Sequence, residues 1–293
     1  MASPQNTIAV VYDYDQTLSP VYMQDDVLFP EFGIEPKHFW PRCQRLVEEE
    51  GFDNELAYLK VLLDCIGIDR PTNADLKKLG SRLRFYPGVP DVFQQLNDQL
   101  LADGHRQLGV HIEHYIVSSG LKVLLDGSRL APHVKVIFGC EFAEDVSGGI
   151  SFPKRVISHT TKTQYLFRIH KGMLDHRQDV NDHLPFESRP VPFTNMIYIG
   201  DGPTDVPCFT VMKKYGGHAI AVYNPEDVTR KSFRKCYQLA SHAERVKHMA
   251  PSDFRPGSHL RLLLEEMILE IADKMLERRR LEDETGRVRA PEY

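Results

Sequence analysis

Apolar and polar positions follow two different rhythms along this chain. Near its start, Ile8–Tyr12 is an unbroken apolar run of the kind a strand buried on both faces needs, and it leads directly into Asp13-Tyr14-Asp15. From Pro20 to about Arg84 apolar residues recur at three- and four-residue spacing, which predicts helices around Lys37–Glu50, Asn54–Ile66 and Asn73–Leu83. That segment closes at Pro87-Gly88, a turn signal, and Pro90 suits the first turn of a helix running to about Leu101. Beyond it, apolar runs predict strands at 114–119, 134–139, 196–200 and 218–223, with helical patterns between most of them. Ser147-Gly148-Gly149 predicts a hairpin or flap, 174–193 a polar loop, and about Ser258 to Glu282 a last helix with Leu260, Leu264, Met267, Ile268, Ile271 and Met275 on one face.

Strands alternating with helices argue for an α/β fold with a parallel sheet. The helical stretch that follows the first strand then reads as an insertion, so residues 1–19 and 86–293 form the core and 20–85 a small helical cap. Composition narrows the class. With 42% hydrophobic and 26% charged residues in 293, the chain is that of an ordinary globular protein, and no apolar run is long enough to cross a bilayer. The N-terminal residues lack the basic and apolar regions of a signal peptide, and the five cysteines contain no C-x-x-C pair; both features predict a cytoplasmic protein with reduced thiols. A formal charge of -5 offers no electrostatic footprint for nucleic acid.

Two carboxylate clusters carry the candidate chemistry. Asp13 and Asp15 follow the first strand in "DYDQT", and Asp201 and Asp205 bracket a Gly-Pro turn in "GDGPTD", directly after the 196–200 strand. In open α/β sheets, ligands bind at the C-terminal ends of the strands. A chance D-x-D-x-T in a chain of this length has a probability on the order of a few per cent, and G-D-G-x-x-D a smaller one, so both after apolar strands point to a site. Carboxylates so close together call for a cation to offset their repulsion. In "IVSSG", Ser118 and Ser119 stand where a strand is expected to pass into a helix, whose N-terminus would suit a phosphate. In "TTKTQ", Lys162 falls in the first turn of a helix capped by Thr160 or Thr161 and ended by Gly172, where a cation opposes the helix dipole.

The order of these four motifs resembles that of the haloacid dehalogenase (HAD) superfamily of phosphatases, and a helical insert after the first motif is similar to the C1-type cap of its phosphoserine-phosphatase-like members. The resemblance implies a Rossmann-like core and a magnesium-dependent phosphatase acting on a small phosphomonoester through an aspartyl-phosphate. It implies Asp13 as nucleophile, Asp15 as general acid/base, Ser118, Ser119 and Lys162 as phosphate holders, and Asp13, Asp15 (through its main-chain carbonyl), Asp201 and Asp205 around Mg²⁺. Alternatives of the same fold are a dehalogenase, against which Asp15 and "GDGPTD" argue, and a phosphotransferase or mutase. A non-catalytic phosphate-binding protein is the third. Arg42, Arg45, Arg82 and Arg84 are candidates to meet an anionic substrate, while His159, His170, His176 and His183 lack metal-ligand spacing and receive no role. The last helix needs cover for its apolar face, from its own core or from a second copy in a homodimer.

Overall fold

The computed structural model describes residues 5–241 and 246–288. Strand β1 (Thr7–Tyr12) is buried along its whole length, as its apolar run requires. The chain then enters the helical segment: α1 (Phe29–Phe32), α2 (Pro36–Glu50), α3 (Asn54–Ile66) and α4 (Asn73–Leu79). It returns through α5 (Asp91–Gln95) and α6 (Asp103–Gln107) to β2 (His111–Leu121), α7 (Lys122–Asp126), β3 (Val136–Glu144) and β4 (Ile150–Arg155). After α8 (Lys162–Lys171) come β5 (Met196–Gly200), α9 (Val206–Tyr215), β6 (His218–Tyr223), α10 (Lys231–Ser241), β7 (His248–Pro251) and α11 (His259–Val288).

The strands form one sheet in the order β4-β3-β2-β1-β5-β6-β7, parallel throughout except for β4, which runs back along β3 as the flap signal predicted. The chain builds outward from β1 on one side through β2 and β3, then crosses to β5 and builds outward on the other. This reversal leaves a crevice beyond the C-terminal ends of β1 and β5. Asp13 N–H donates to Ile199 O at 2.9 Å, so the first residue past β1 is fastened to the C-terminal end of β5. The two acidic motifs are therefore neighbours although 188 positions separate Asp13 from Asp201.

Three expectations change. The strand containing Ser118 and Ser119 does not pass into a helix there: β2 continues, with a register shift between Val117 and Leu121, until Leu121 pairs with Cys140 of β3. Ser118 Oγ accepts the Gly120 N–H at 2.9 Å, a local bond that lets the strand bulge without leaving the sheet. The helix begins only at Lys122 and lasts five residues. Second, α4 ends at Leu79 and gives way to a 3₁₀ turn, Gly80–Arg82. Third, β7 was not foreseen; its four residues are too few to show a period.

The six apolar residues that mark the face of α11 are buried within the chain itself. No helix among the described residues is long and apolar enough to cross a membrane.

The Pro87-Gly88 turn leads from the helical segment back to the sheet, and its glycine is required by the backbone. Gly88 has φ +88°, and a Cβ there would stand 2.4 Å from the Phe254 carbonyl carbon. Pro87 O accepts the Phe254 N–H at 2.8 Å, so the two segments cannot easily part. Gly88→Ala is expected to cost roughly 2–4 kcal/mol of stability, from the left-handed φ and the backbone overlap together. A denaturant titration showing the midpoint unmoved would contradict this.

Candidate active site

Past Tyr12 the strand geometry stops. Leu18 and Thr17 donate their N–H groups back to Tyr14 O, at 2.9 and 3.1 Å, and Gln16 takes a left-handed φ of 62°. In a continued strand Asp13 and Asp15 would point to opposite faces; the turn brings both onto the wall of one cavity of about 780 Å³. Asp201, Lys162 and Ser119 line the same cavity.

Lys162 organises the floor. Its Nζ lies 2.9 Å from Asp13 Oδ1 and 2.8 Å from Asp205 Oδ1, and it is 1% exposed. Burial alone would favour the neutral amine, but Asp13 and Asp205 outweigh it and hold the lysine charged well above its ordinary range. The helix-dipole penalty noted for a lysine at the start of α8 is thus overruled by two carboxylates. Thr161 occupies the cap position, but its Oγ1 accepts the Ser158 N–H at 2.6 Å instead of capping the helix.

Asp205 is fully buried and has no free side. Besides Lys162 it accepts the Tyr198 hydroxyl at 2.6 Å, the Asp201 N–H at 3.1 Å and the Gly202 N–H at 3.2 Å. It therefore fixes the Gly-Pro turn and aims Lys162, while the cavity is lined by Asp201 rather than by Asp205. Asp201 is paired with Lys235 of α10.

Burial pushes the Asp13 carboxyl well above the usual carboxylate range; Lys162 pulls it down, and Asp205 and Asp201 add to the rise. Burial likewise lifts Asp201, opposed by Lys235. Asp15 is pushed up to about 7 by burial, against the lowering effect of the Met23 N–H that its Oδ1 accepts at 2.8 Å. A carboxyl with that value is suited to give and take a proton near neutrality.

Carboxylate oxygens of Asp13, Asp201 and Asp205 lie within 4.8 Å of one another. The donor set is all oxygen, and four buried or cavity-facing aspartates meet only two lysines, so it fits a hard divalent cation such as Mg²⁺. The Asp15 side chain is not part of that trio.

Of the two serines, Ser118 is fully buried with its hydroxyl used by Gly120, and Ser119 reaches the cavity with a buried Oγ that has no partner. The arginines singled out in the sequence do not line the cavity. Arg42 pairs with Asp64, Arg82 with Glu31 and Arg84 with Asp26, each at 2.5 Å. His159, given no role in the sequence, does line it and lies 3.0 Å from Glu55 Oε1. Lys235 and Tyr198 were missed as well. Neither sits in a recognisable motif, although Tyr198 lies within the strand that leads to Asp201.

No family model matches the sequence. An uncharacterized protein of Borreliella burgdorferi is 29% identical over 300 residues, covering 92% of this chain and all of that one. Among solved structures, a probable phosphoserine phosphatase from Vibrio cholerae in its unliganded form superposes with a TM-score of 0.53 at 15% identity, over 94% of this chain and 68% of that one. A HAD family hydrolase from Salmonella enterica serovar Typhi superposes with a TM-score of 0.51 at 16% identity, over 84% of this chain and 67% of that one. This chain has the HAD hydrolase fold. In this chain Asp13, Asp15, Lys162 and Asp201 line one cavity.

Proposed function

We propose that the protein is a magnesium-dependent phosphatase that hydrolyses a small phosphomonoester through a phosphorylated Asp13. The observation that carries this reading is the pairing of Asp13, held by Lys162, with a second carboxyl, Asp15, on the same cavity wall, which burial pushes up to about 7. Asp13 Oδ attacks phosphorus in line; as that bond forms, the phosphorus–oxygen bond to the alcohol breaks and its electron pair leaves on the alcohol oxygen, which takes the Asp15 proton. Asp15, now ionised, removes a proton from water, whose oxygen attacks the same phosphorus. The bond to Asp13 breaks, the electron pair returns to its carboxylate, and inorganic phosphate departs.

Lys162 keeps a positive charge beside the attacking oxygen, and Ser119 offers a hydroxyl to a phosphoryl oxygen. When bound, Mg²⁺ would be held by Asp13, Asp201 and the main-chain carbonyl of Asp15, and would offset charge on the phosphoryl oxygens. Residues 20–85 act in this reading as a lid on a core of 1–19 and 86–293. They supply Tyr22, Trp40, Val47 and Tyr58 to the cavity wall.

A screen of phosphate release over a few dozen phosphomonoesters with Mg²⁺ present tests the proposal. EDTA is expected to lower the rate by about 100-fold or more, and excess Mg²⁺ to restore it. Full activity in metal-free buffer would remove Asp201 from the role given to it; no release from any ester would overturn the phosphatase reading itself.

A further inference from the structure

The part of the cavity beyond the aspartates is where the alcohol of the ester must sit, and its charge is one-sided. Two lysines line the cavity, Lys162 and Lys235, and both are spent on aspartates. Among the described residues no arginine lines it, and its one imidazole, His159, is already beside Glu55. A leaving group bearing a carboxylate or a second phosphate would therefore find no free cation to meet it.

The wall carries acceptors as well. Glu55 is 6% exposed, with its Oε1 beside His159, and Glu48 stands at the rim, where its Oε1 accepts from Gln44 Nε2 at 2.7 Å. Gln24 also lines the cavity; it is 4% exposed, and its Oε1 is buried without a hydrogen-bond partner. An unpaired buried acceptor is costly, and a donor on the ligand relieves it. Tyr22 and Trp40 add aromatic surface, their rings 6.3 Å apart, of the kind that receives the carbon skeleton of an ammonium group.

We infer that the leaving group is a cationic amino-alcohol: the substrate is a phosphomonoester whose alcohol carries an ammonium group and no carboxylate, read by Glu55 and Gln24 against Tyr22 and Trp40. This inference rests on the phosphatase reading and specifies its substrate class. Glu55 is a specificity residue in it. A donor-bearing cation there neutralises a carboxylate wall, whereas an anion adds to it.

The test compares kcat/KM, with Mg²⁺ present, for three esters of similar size: 2-aminoethyl phosphate, propyl phosphate and 2-carboxyethyl phosphate, with p-nitrophenyl phosphate as reference. The amine is expected to exceed propyl by about tenfold and the carboxylate by about 100-fold, the scale of one or two charged hydrogen bonds gained or lost. In Glu55→Gln the amine-to-propyl ratio should fall several-fold, and the carboxylate should gain on both. A carboxylate ester equal to or better than the amine overturns the inference, as does propyl phosphate matching the amine, or a Glu55→Gln ratio that does not move. The wild-type order decides the matter even if the Glu55 variant fails to fold. Turnover of p-nitrophenyl phosphate with the wrong order overturns the leaving-group assignment alone, while no turnover of any ester overturns the phosphatase reading and this inference with it.

Discussion

Asp13→Asn is expected to end turnover, with phosphate release down by on the order of 10⁴-fold or more, and to leave the protein at least as stable as before. The loss follows from the proposed chemistry: an amide oxygen is too poor a nucleophile to form the covalent bond to phosphorus, and Asp205, the other carboxylate beside Lys162, does not line the cavity. The stability claim follows from the charges. Burial, and then Asp205 and Asp201, raise the Asp13 carboxyl far above its unfolded value, although Lys162 opposes them. A carboxyl whose pKa is raised on folding destabilises the folded state once pH exceeds its unfolded value, so at pH 7 without metal the Asp13 carboxyl works against the fold. Asparagine removes that term and leaves Lys162 bonded to Asp205 at 2.8 Å. Activity and stability should therefore part, as they do where a residue is kept for chemistry at a cost to the fold. Thermal unfolding of the metal-free variant together with a phosphate assay checks both halves. A large drop in the unfolding midpoint would mean that Lys162 needs Asp13 more than the carboxylates repel it.

How much of this site was legible in the sequence depends on where each residue gets its position. Asp13 and Asp201 were visible because each follows directly on an apolar run, and a parallel sheet puts every such strand end at one edge. Lys162 was visible because a cation in the first turn of a helix violates a local preference, and the violation had a cause, the carboxylates at 2.8 and 2.9 Å. Ser119 was found for a reason that failed. A Ser-Gly pair after a strand looks like a helix start, yet pairing of Leu121 with Cys140 keeps the chain in the sheet, a tertiary effect that local preference does not carry. Lys235 had no local signal, since a lysine on an amphipathic helix is ordinarily solvated. It reaches Asp201 only because α10 follows β6, two strands from β1, and starts at the same edge of the sheet. Glu55 and His159 lie 104 positions apart, and their meeting at 3.0 Å depends on how the helical segment lies on the core. Spacing along one chain cannot reveal a contact of that type.

Asp15→Asn should fail differently, because its side chain takes part only in moving protons. The variant keeps the Asp13 carboxylate, Lys162 and the trio of carboxylates within 4.8 Å, and asparagine's own oxygen still accepts the Met23 N–H. The turn that follows Asp13 is held by backbone bonds to Tyr14 O and not by the lost charge. With an ester of a simple alcohol, whose leaving oxygen needs a proton, turnover is expected to drop by about 10²–10⁴-fold, the usual worth of general acid/base help. With p-nitrophenyl phosphate the leaving group departs unprotonated, so attack by Asp13 should proceed nearly as before. The second step still lacks a base for water, and the phosphoryl group should stay on Asp13. A burst of nitrophenol equal to the enzyme present, followed by a slow phase, is the expected time course. Mass spectrometry after rapid quench should place one phosphoryl group on the peptide that contains Asp13 in this variant, and none there in Asp13→Asn. A burst absent from the Asp15 variant, with wild-type steady turnover of both esters, would show that the Asp15 carboxyl moves no proton in the reaction. The acid and base would then have to be sought elsewhere on the cavity wall, with His159, beside Glu55, the first group to change.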